Sequence, residues 1–245
     1  MNVLVIGNGG REHAVIQALK KSPKVDKIYA MKGNAGIGEL AELVDVDYCD
    51  AKAVGDWLDA HKDVEYTVVT PDDPLALGVV DELESRGHRA FGPNRRAAII
   101  EASKAFSKEL MKKYGIPTAK YEIFDEYEKA LAYIRNGAFP VVLKADGLAL
   151  GKGVLICRDL KEAEEGLKEI MLDKKFGAAG NKVVVEEFLE GPEVSVLAFT
   201  DGKTIVPMVT SCDHKRALDN DEGLNTGGMG TFSPAPFYGE KTERE

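Results

Sequence analysis

The sequence predicts an α/β protein whose first hundred residues build a parallel sheet, and three observations predict it. Short β-rich runs alternate with amphipathic stretches at residues 3–6, 12–20, 27–31 and 66–70, the order expected of βαβ units. A glycine-rich turn, Gly7-Asn-Gly-Gly-Arg-Glu-His13, follows the first strand directly. At 245 residues, 44% hydrophobic and 30% charged, the chain has globular composition and the length of one large domain or two ordinary ones.

Beyond residue 90 the pattern changes. Between Phe91-Gly-Pro-Asn94 and Tyr114-Gly-Ile-Pro-Thr118, residues Ile99, Ala102, Phe106 and Leu110 recur at spacings of three and four and predict one helix, stopped by Gly115 and Pro117. A helix over 125–136 opens on Asp125-x-x-Glu128, buries Tyr127, Leu131 and Ile134, and meets Gly137 as its C-cap. Two β-rich runs, Val141–Ala145 and Val154–Cys157, flank Asp146-Gly-Leu-Ala-Leu-Gly-Lys-Gly153 and predict a hairpin with a glycine-rich lid. A helix over 159–172 opens on Asp159-x-x-Glu162, and a strand over 183–188 follows it. Residues 193–200 and 204–208, joined at Asp201-Gly202, read as a hairpin with a two-residue turn. Residues 225–230 and 233–236 read as loops and 239–245 as a charged tail with no closing element, so the last domain is expected to be unfinished.

Several function classes are excluded on composition. No apolar run approaches the ~18 to 20 residues of a membrane span. The opening Met1-Asn-Val-Leu-Val-Ile6 lacks a basic head and the apolar stretch of roughly 7–15 residues that export requires, so a cytoplasmic location is expected. The three cysteines, Cys49, Cys157 and Cys212, offer neither a disulfide framework nor a CxxC knuckle. The four histidines, His13, His61, His88 and His214, show no paired ligand spacing, and no transition-metal site is expected. With 32 basic and 41 acidic residues the net charge is -9, which disfavours a nucleic-acid surface. An anionic ligand must then be held by local Lys, Arg and backbone N–H groups.

Three motifs carry chemistry. The turn at Gly7–His13 lets backbone N–H groups approach a phosphate at a helix start, or serves only as a tight strand-to-helix turn. As a dinucleotide fingerprint it fails, because its third glycine position is Glu12 and no acidic residue closes the second strand near Met31-Lys32. The Gly-Lys pair of 146–153 is not a Walker A loop: Gly153 follows Lys152, three residues separate Gly147 from Gly151, and a strand follows. It reads either as a flap over a triphosphate with Lys144 and Lys152 as point charges, or as a surface hairpin. Lys144 lies inside an apolar run, where a half-buried ammonium requires an anionic partner. The third motif, Val183-Val-Val-Glu-Glu-Phe-Leu-Glu-Gly-Pro-Glu-Val-Ser195, gathers Glu186, Glu187 and Glu193 at a strand exit, either as the wall of a nucleotide cleft or as a solvated strand end.

Five ordered blocks resemble the ATP-grasp ligases, and within them the branch that joins glycine to 5-phosphoribosylamine. They are residues 3–13; Phe91-Gly-Pro93 with Ser103-Lys104 and Gly115-Ile-Pro-Thr118; Lys144 to Gly153; Glu186 to Ser195; and Asp213-His-Lys-Arg216 with Asn225-Thr-Gly-Gly-Met-Gly230. The resemblance implies a Rossmann-like N-terminal domain over 1–101, followed by an ATP-grasp fold (α+β) that is incomplete at the C-terminus. Its A subdomain would cover 102–122 and 188–245, and its flap-bearing B subdomain 123–187. It implies phosphoryl transfer from ATP to a carboxylate, then attack by an amine on the acyl phosphate, with ATP and Mg²⁺ or Mn²⁺ as cofactors. It further implies small-molecule substrates, no nucleic acid or membrane partner, and a monomer.

By the same resemblance, ATP would be bound by Lys104, Lys144, Gly147, Gly151, Lys152, Gly153, Glu186, Glu187, Phe188, Leu189 and Glu193. The substrates would be bound by Gly9, Gly10, Arg11, Asp72, Asp213, Lys215, Asn225, Thr226 and Gly227. No side-chain nucleophile is needed, because such transfer rests on positioning and charge neutralisation. Two departures stand out. Thr70-Pro-Asp-Asp-Pro-Leu75 replaces the Gly-Pro-Glu that the family carries before Pro-Leu. The family chain also continues past this point and supplies a Glu and an Asn as magnesium ligands, neither of which is placed here. The other readings are a different ATP-grasp carboxylate–amine ligase and a truncated nucleotide-binding remnant without turnover.

Overall fold

The computed structural model describes residues 1–149, 153–239 and 241–242. The chain forms two units, Met1–Thr118 with Asp146–Leu148, and Ala119–Ala145 with Ala149–Glu245.

In the first unit, β1 (Asn2–Gly7) is apolar on both faces because both are covered. Leu4 and Ile6 enter one core with Met31, Leu58 and Leu83, while Val3 and Val5 enter another with Ile16, Ala30 and Ile37. Continuous apolar strands of this kind belong to parallel sheets with helices on both sides. The chain continues through α1 (Gly10–Lys20), β2 (Lys27–Lys32), α2 (Ala35–Gly38), β3 (Glu42–Val44), α3 (Ala51–Ala60), β4 (Val64–Val69), α4 (Asp72–Leu77), α5 (Val79–Ser85) and β5 (Ala90–Phe91). The five strands are parallel in the order β3-β2-β1-β4-β5. The predicted parallel sheet is therefore present, and its strand order reverses between β1 and β4.

The single helix expected after Asn94 is two helices, α6 (Arg95–Ala102) and α7 (Lys104–Tyr114). Ser103 separates them in an extended conformation, φ −137° and ψ 111°, and its hydroxyl accepts from Phe106 N–H as the cap of α7. Gly115 ends α7 at φ 66°, the left-handed geometry glycine adopts without strain.

In the second unit, β6 (Tyr121–Phe124), α8 (Tyr127–Arg135), β7 (Val141–Ala145), β8 (Val154–Cys157), α9 (Leu160–Met171) and β9 (Val183–Glu187) make an antiparallel sheet in the order β6-β9-β7-β8. Leu143, Ala145, Val183 and Val185 pack with Ile134, Leu167 and Ile170 of α8 and α9. The alternate residues Val142, Lys144, Val184 and Glu186 lie on the opposite face of the pleat. The expected hairpin of β7 and β8 is present. Of its lid, residues 150–152 lie outside the described residues.

Three local expectations are corrected. Helix α8 begins at Tyr127 after Glu126, with no side-chain cap and with Asn136 as C-cap; β6 runs to Phe124 opposite Val183, so Asp125 is used in the turn. The next hairpin, β10 (Ala198–Thr200) and β11 (Ile205–Pro207), pairs Thr200 with Ile205 and so has a loop of residues 201–204 instead of two residues. Asp201 closes that loop by accepting from Lys203 and Thr204 N–H. Asn225, read as the start of a loop, ends a strand: β12 (Cys212–Asp213), β13 (Arg216–Leu218), β14 (Glu222–Asn225) and β15 (Thr231–Phe232) lie in this part of the chain, with β12 pairing β15 and β13 pairing β14.

No helix among the described residues is long and apolar enough to cross a membrane. All three cysteines are free, and burial pushes the Cys157 thiol up to about 11.

Candidate nucleotide and substrate sites

The first constellation sits at the carboxyl edge of the parallel sheet, between β1 and β4, where open α/β sheets bind ligands. Glu12 is buried there, 4% exposed. Its Oε2 accepts from Gly9 N–H at 2.6 Å and its Oε1 from the Thr70 hydroxyl at 2.6 Å. Arg11 Nη1 donates to the Thr70 carbonyl at 3.1 Å, and its Nε lies 3.5 Å from Glu12 Oε1. Asp72, which opens α4, is 4.0 Å from Arg11. Gly7, at φ 124°, has no room for a side chain, since a Cβ would fall 2.6 Å from Glu12 Cγ. Gly9, Arg11 and Asp72, which the resemblance assigns to substrate, thus lie around one carboxylate, with Gly10 between the first two in the chain. Glu12, which sequence reasoning used only as a failed glycine position, organises them.

The second constellation is at the start of α7. Asp146 Oδ1 accepts from the Ser103 hydroxyl at 2.9 Å and from Ala105 N–H at 2.7 Å, while Lys104 Nζ donates to the Gly147 carbonyl at 2.8 Å. Residues 146–148, at the foot of the glycine-rich loop, are therefore tied to the α7 N-terminus, where a carboxylate is favoured by free N–H groups and the helix dipole. Lys104 and Gly147, both assigned to ATP by the resemblance, contact each other. Asp146 was missed, although its place straight after an apolar strand and beside the first loop glycine was the available signal.

In the second unit, Lys144 donates to Glu186 Oε2 at 2.8 Å. Glu186 is 5% exposed and the Lys144 side chain 28%. The anionic partner demanded by a lysine in an apolar strand is thus a carboxylate two residues along the facing strand. Glu187 points to the other side of β9, where its Oε1 accepts from Lys120 N–H at 2.9 Å. Phe188 and Leu189 follow the strand and are exposed. Gly153 closes the loop neck, its carbonyl accepting from Ala145 N–H at 2.8 Å.

Glu193 forms an ion pair with Lys215, which raises the lysine's pKa chiefly through that hydrogen bond. Two residues expected on different ligands therefore contact each other. Asp213 lies in β12. Asn225 ends β14, its side chain lying outside the described residues, and Thr226 hydroxyl and N–H both donate to the Lys215 carbonyl. Gly227 leaves open space where a Cβ would stand. Gly151 and Lys152 lie outside the described residues. A cavity of about 400 Å³ between β8, α9 and Arg216 contains none of the predicted residues. Among the described residues no group of three or more His, Cys, Asp or Glu side chains is placed to hold a metal ion.

A parallel-sheet domain with a switch-point crevice, followed by an antiparallel sheet backed by two helices and bearing a glycine-rich hairpin with an internal lysine, defines the ATP-grasp class. The biotin carboxylase domain of Hydrogenobacter thermophilus 2-oxoglutarate carboxylase, solved with MgADP, shares the fold at a TM-score of 0.70 and 20% identity, over 91% of this chain and 51% of that one. Residues 1–101 match the phosphoribosylglycinamide synthetase N domain and residues 102–245 its ATP-grasp (A) domain, and the chain belongs to that family.

The phosphoribosylamine–glycine ligase of Caldanaerobacter subterraneus subsp. tengcongensis is 47% identical over 245 residues, 100% of this chain and 58% of that protein. That of Pasteurella multocida is 48% identical over 238 residues, 96% of this chain and 55% of that protein. The solved Thermotoga maritima phosphoribosylamine–glycine ligase superposes at a TM-score of 0.80 with 33% identity, over 96% of this chain and 56% of that one. The chain spans little more than half the length of the curated relatives it matches.

Proposed function

We propose that the chain carries the nucleotide- and substrate-binding parts of an ATP-dependent ligase of purine biosynthesis. That ligase joins the carboxylate of glycine to the amine of 5-phosphoribosylamine, giving glycinamide ribonucleotide, ADP and phosphate through an acyl phosphate. The observation that carries the reading is 47% identity along the whole chain to a protein named for that reaction. The site chemistry agrees with it. Phosphoryl transfer requires positive charge on the phosphate oxygens, which Lys144, Lys104 and Lys152 would supply. The backbone of 187–189 would line the adenine and Glu193 the ribose hydroxyls, with Glu186 holding Lys144.

Gly10 and Arg11 would take the substrate phosphate. Asp72, Asp213, Lys215, Asn225, Thr226 and Gly227 would form the remaining substrate surface. On this reading residues 1–101 are the substrate domain, 123–187 the subdomain that covers the nucleotide, and 102–122 with 188–245 part of its counterpart. The protein works in the cytoplasm. ATP binds such a ligase with magnesium, which neutralises developing charge on the transferring group. The described residues assemble no metal site, and no residue of this chain is assigned to the ion.

The test is ADP release by the 245-residue chain with ATP and Mg²⁺, with and without glycine and with 5-phosphoribosylamine generated in situ, alongside calorimetric titration of ATP. Release that depends on both co-substrates establishes the ligase. ATP binding without release identifies a nucleotide-binding part that lacks turnover. No ATP binding overturns the reading.

A further inference from the structure

We propose that the Glu193–Lys215 ion pair couples nucleotide binding to carboxylate binding, because each ligand takes one end of the pair and releases the other end for its companion. The inference rests on the ligase reading, which gives Glu193 to the ribose hydroxyls and Lys215 to the substrate, and it names how that site is regulated. The two residues are 22 apart in sequence, and Lys215 Nζ donates to Glu193 Oε1. A ribose diol would use both oxygens of that carboxylate, one of which the ammonium already holds. A substrate carboxylate approaching Lys215 would meet an ammonium whose charge Glu193 already balances. Each ligand is therefore better served by the open pair than by the closed one.

The surroundings leave the side chains as the parts that move. Ser195 and Ser211 exchange N–H···O bonds of 2.8 and 3.0 Å, and His214 N–H donates to the Gly230 carbonyl at 3.0 Å. The Lys215 carbonyl accepts from Thr226 N–H at 2.6 Å and from its hydroxyl at 2.9 Å. Lys215 thus stands between Glu193, assigned to the nucleotide, and Thr226, assigned to the substrate. The Glu193 side chain is 61% exposed and the Lys215 side chain 41%, so both reach water and exchange partners without stranding a buried charge. The other groups whose charge acts on Lys215, Asp213 and Cys212, belong to the same pinned segment as the lysine.

The sign and size of the coupling follow. Both ligands favour the open pair, so each raises the affinity of the other, and by the same factor. The effect is bounded by the strength of the pair itself, because opening it is the whole of what one ligand does for the other. For side chains this exposed the bound is about fivefold in an equilibrium constant. The nucleotide should therefore tighten glycine binding by about two- to fivefold. The ribose hydroxyls, and not the phosphates, are the part of the nucleotide that delivers the change.

The experiment is equilibrium dialysis of radiolabelled glycine against the 245-residue chain with Mg²⁺ and no nucleotide, saturating ADP, or saturating 2′,3′-dideoxy-ADP, which lacks both hydroxyls. Neither nucleotide carries a transferable γ-phosphate, so turnover does not disturb the equilibrium, and calorimetry gives the affinity of each. In the wild type ADP is expected to tighten glycine binding by about two- to fivefold, and dideoxy-ADP to leave it unchanged. Glu193→Gln, with folding checked by its melting curve, is expected to bind glycine without nucleotide as tightly as the wild type does with ADP, and ADP should add nothing. A pair that only stabilised the fold would leave the glycine affinity of Glu193→Gln at the wild-type value, and that result overturns the proposal. Equal effects of ADP and dideoxy-ADP on the wild type, or no effect of either, overturn it whether or not the variant folds. ADP binding without glycine binding in any arm also overturns it. A wild type that binds neither nucleotide removes the ligase reading, and the coupling with it.

Discussion

Lys144→Met and Glu186→Gln remove the two ends of one ion pair, yet their costs should differ because the two ends are buried to different depths. Glu186 is 5% exposed and the Lys144 side chain 28%, and the bond between them is 2.8 Å long on the face of the sheet away from α8 and α9. Lys144→Met takes the ammonium from a carboxylate that water barely reaches; removing one partner of a buried pair costs about 3–5 kcal/mol, and the lower figure applies where one end is partly solvated. Glu186→Gln keeps an oxygen acceptor of the same shape, and the ammonium, already near solvent, can turn toward water. Its cost is set by the weaker hydrogen bond, about 1 kcal/mol.

For a chain of this length each kcal/mol corresponds to roughly 2–4 °C, so the expected losses are about 6–12 °C for Lys144→Met and about 2–4 °C for Glu186→Gln. Differential scanning calorimetry with a urea melt on each variant reads both. Equal losses, or a larger one in Glu186→Gln, would refute the burial argument.

Three further outcomes follow from the geometry. Gly180→Ala would set a Cβ 2.1 Å from the Ile170 carbonyl oxygen, a backbone atom of α9, and should cost about 3 kcal/mol by overpacking; a urea midpoint within error of the wild type contradicts it. Asp146→Ala removes the acceptor for the Ser103 hydroxyl and Ala105 N–H and should cost about 1–2 kcal/mol as a lost cap. Asp146→Asn keeps an oxygen there and should lose less than half as much by chemical denaturation, and equal losses would exclude the capping role.

The third outcome concerns acid. Hydrogen bonds from Lys52 and Arg86 hold Asp56 below the usual carboxylate value, and those from Arg86 and His88 do the same for Asp59. Carboxylates depressed in the folded state contribute stability above their unfolded value of 3.8, and that contribution is lost as pH falls through the lower folded value. Wild-type urea midpoints should therefore fall more steeply below about pH 4 than those of Arg86→Ala, and parallel curves would remove the ion pairs as the cause.

Legibility tracked how locally each feature is determined. Strands β1 and β4 were readable because their apolar runs are buried on both faces by the sheet's own helices. The cap of α9 was readable because Asp159 accepts from Glu162 N–H within its own turn. The break at Ser103 was not, because Ile99, Ala102, Phe106 and Leu110 keep a helical spacing across it and the partner that fixes the second helix start, Asp146, is 43 residues away. Strands β12 and β15 are two residues each, too short for any period. At the sites, the lysine inside an apolar strand correctly demanded an anion, but nothing local named Glu186. The glycine turn likewise announced an anion-binding backbone, while the fold had already placed Glu12 on one of its amides.

The hairpin of β10 and β11 has a colloidal consequence. Leu197, Phe199, Ile205, Val206 and Val209 are each more than half exposed, on a ribbon of two short strands that pair with no other strand among the described residues. Two-stranded ribbons are marginal in water. Exposed apolar surface on a short ribbon of this kind is an aggregation liability. Purification yield, storage concentration and light scattering are the properties on which these exposed residues bear, however well the cores around Leu4 and Leu143 are packed.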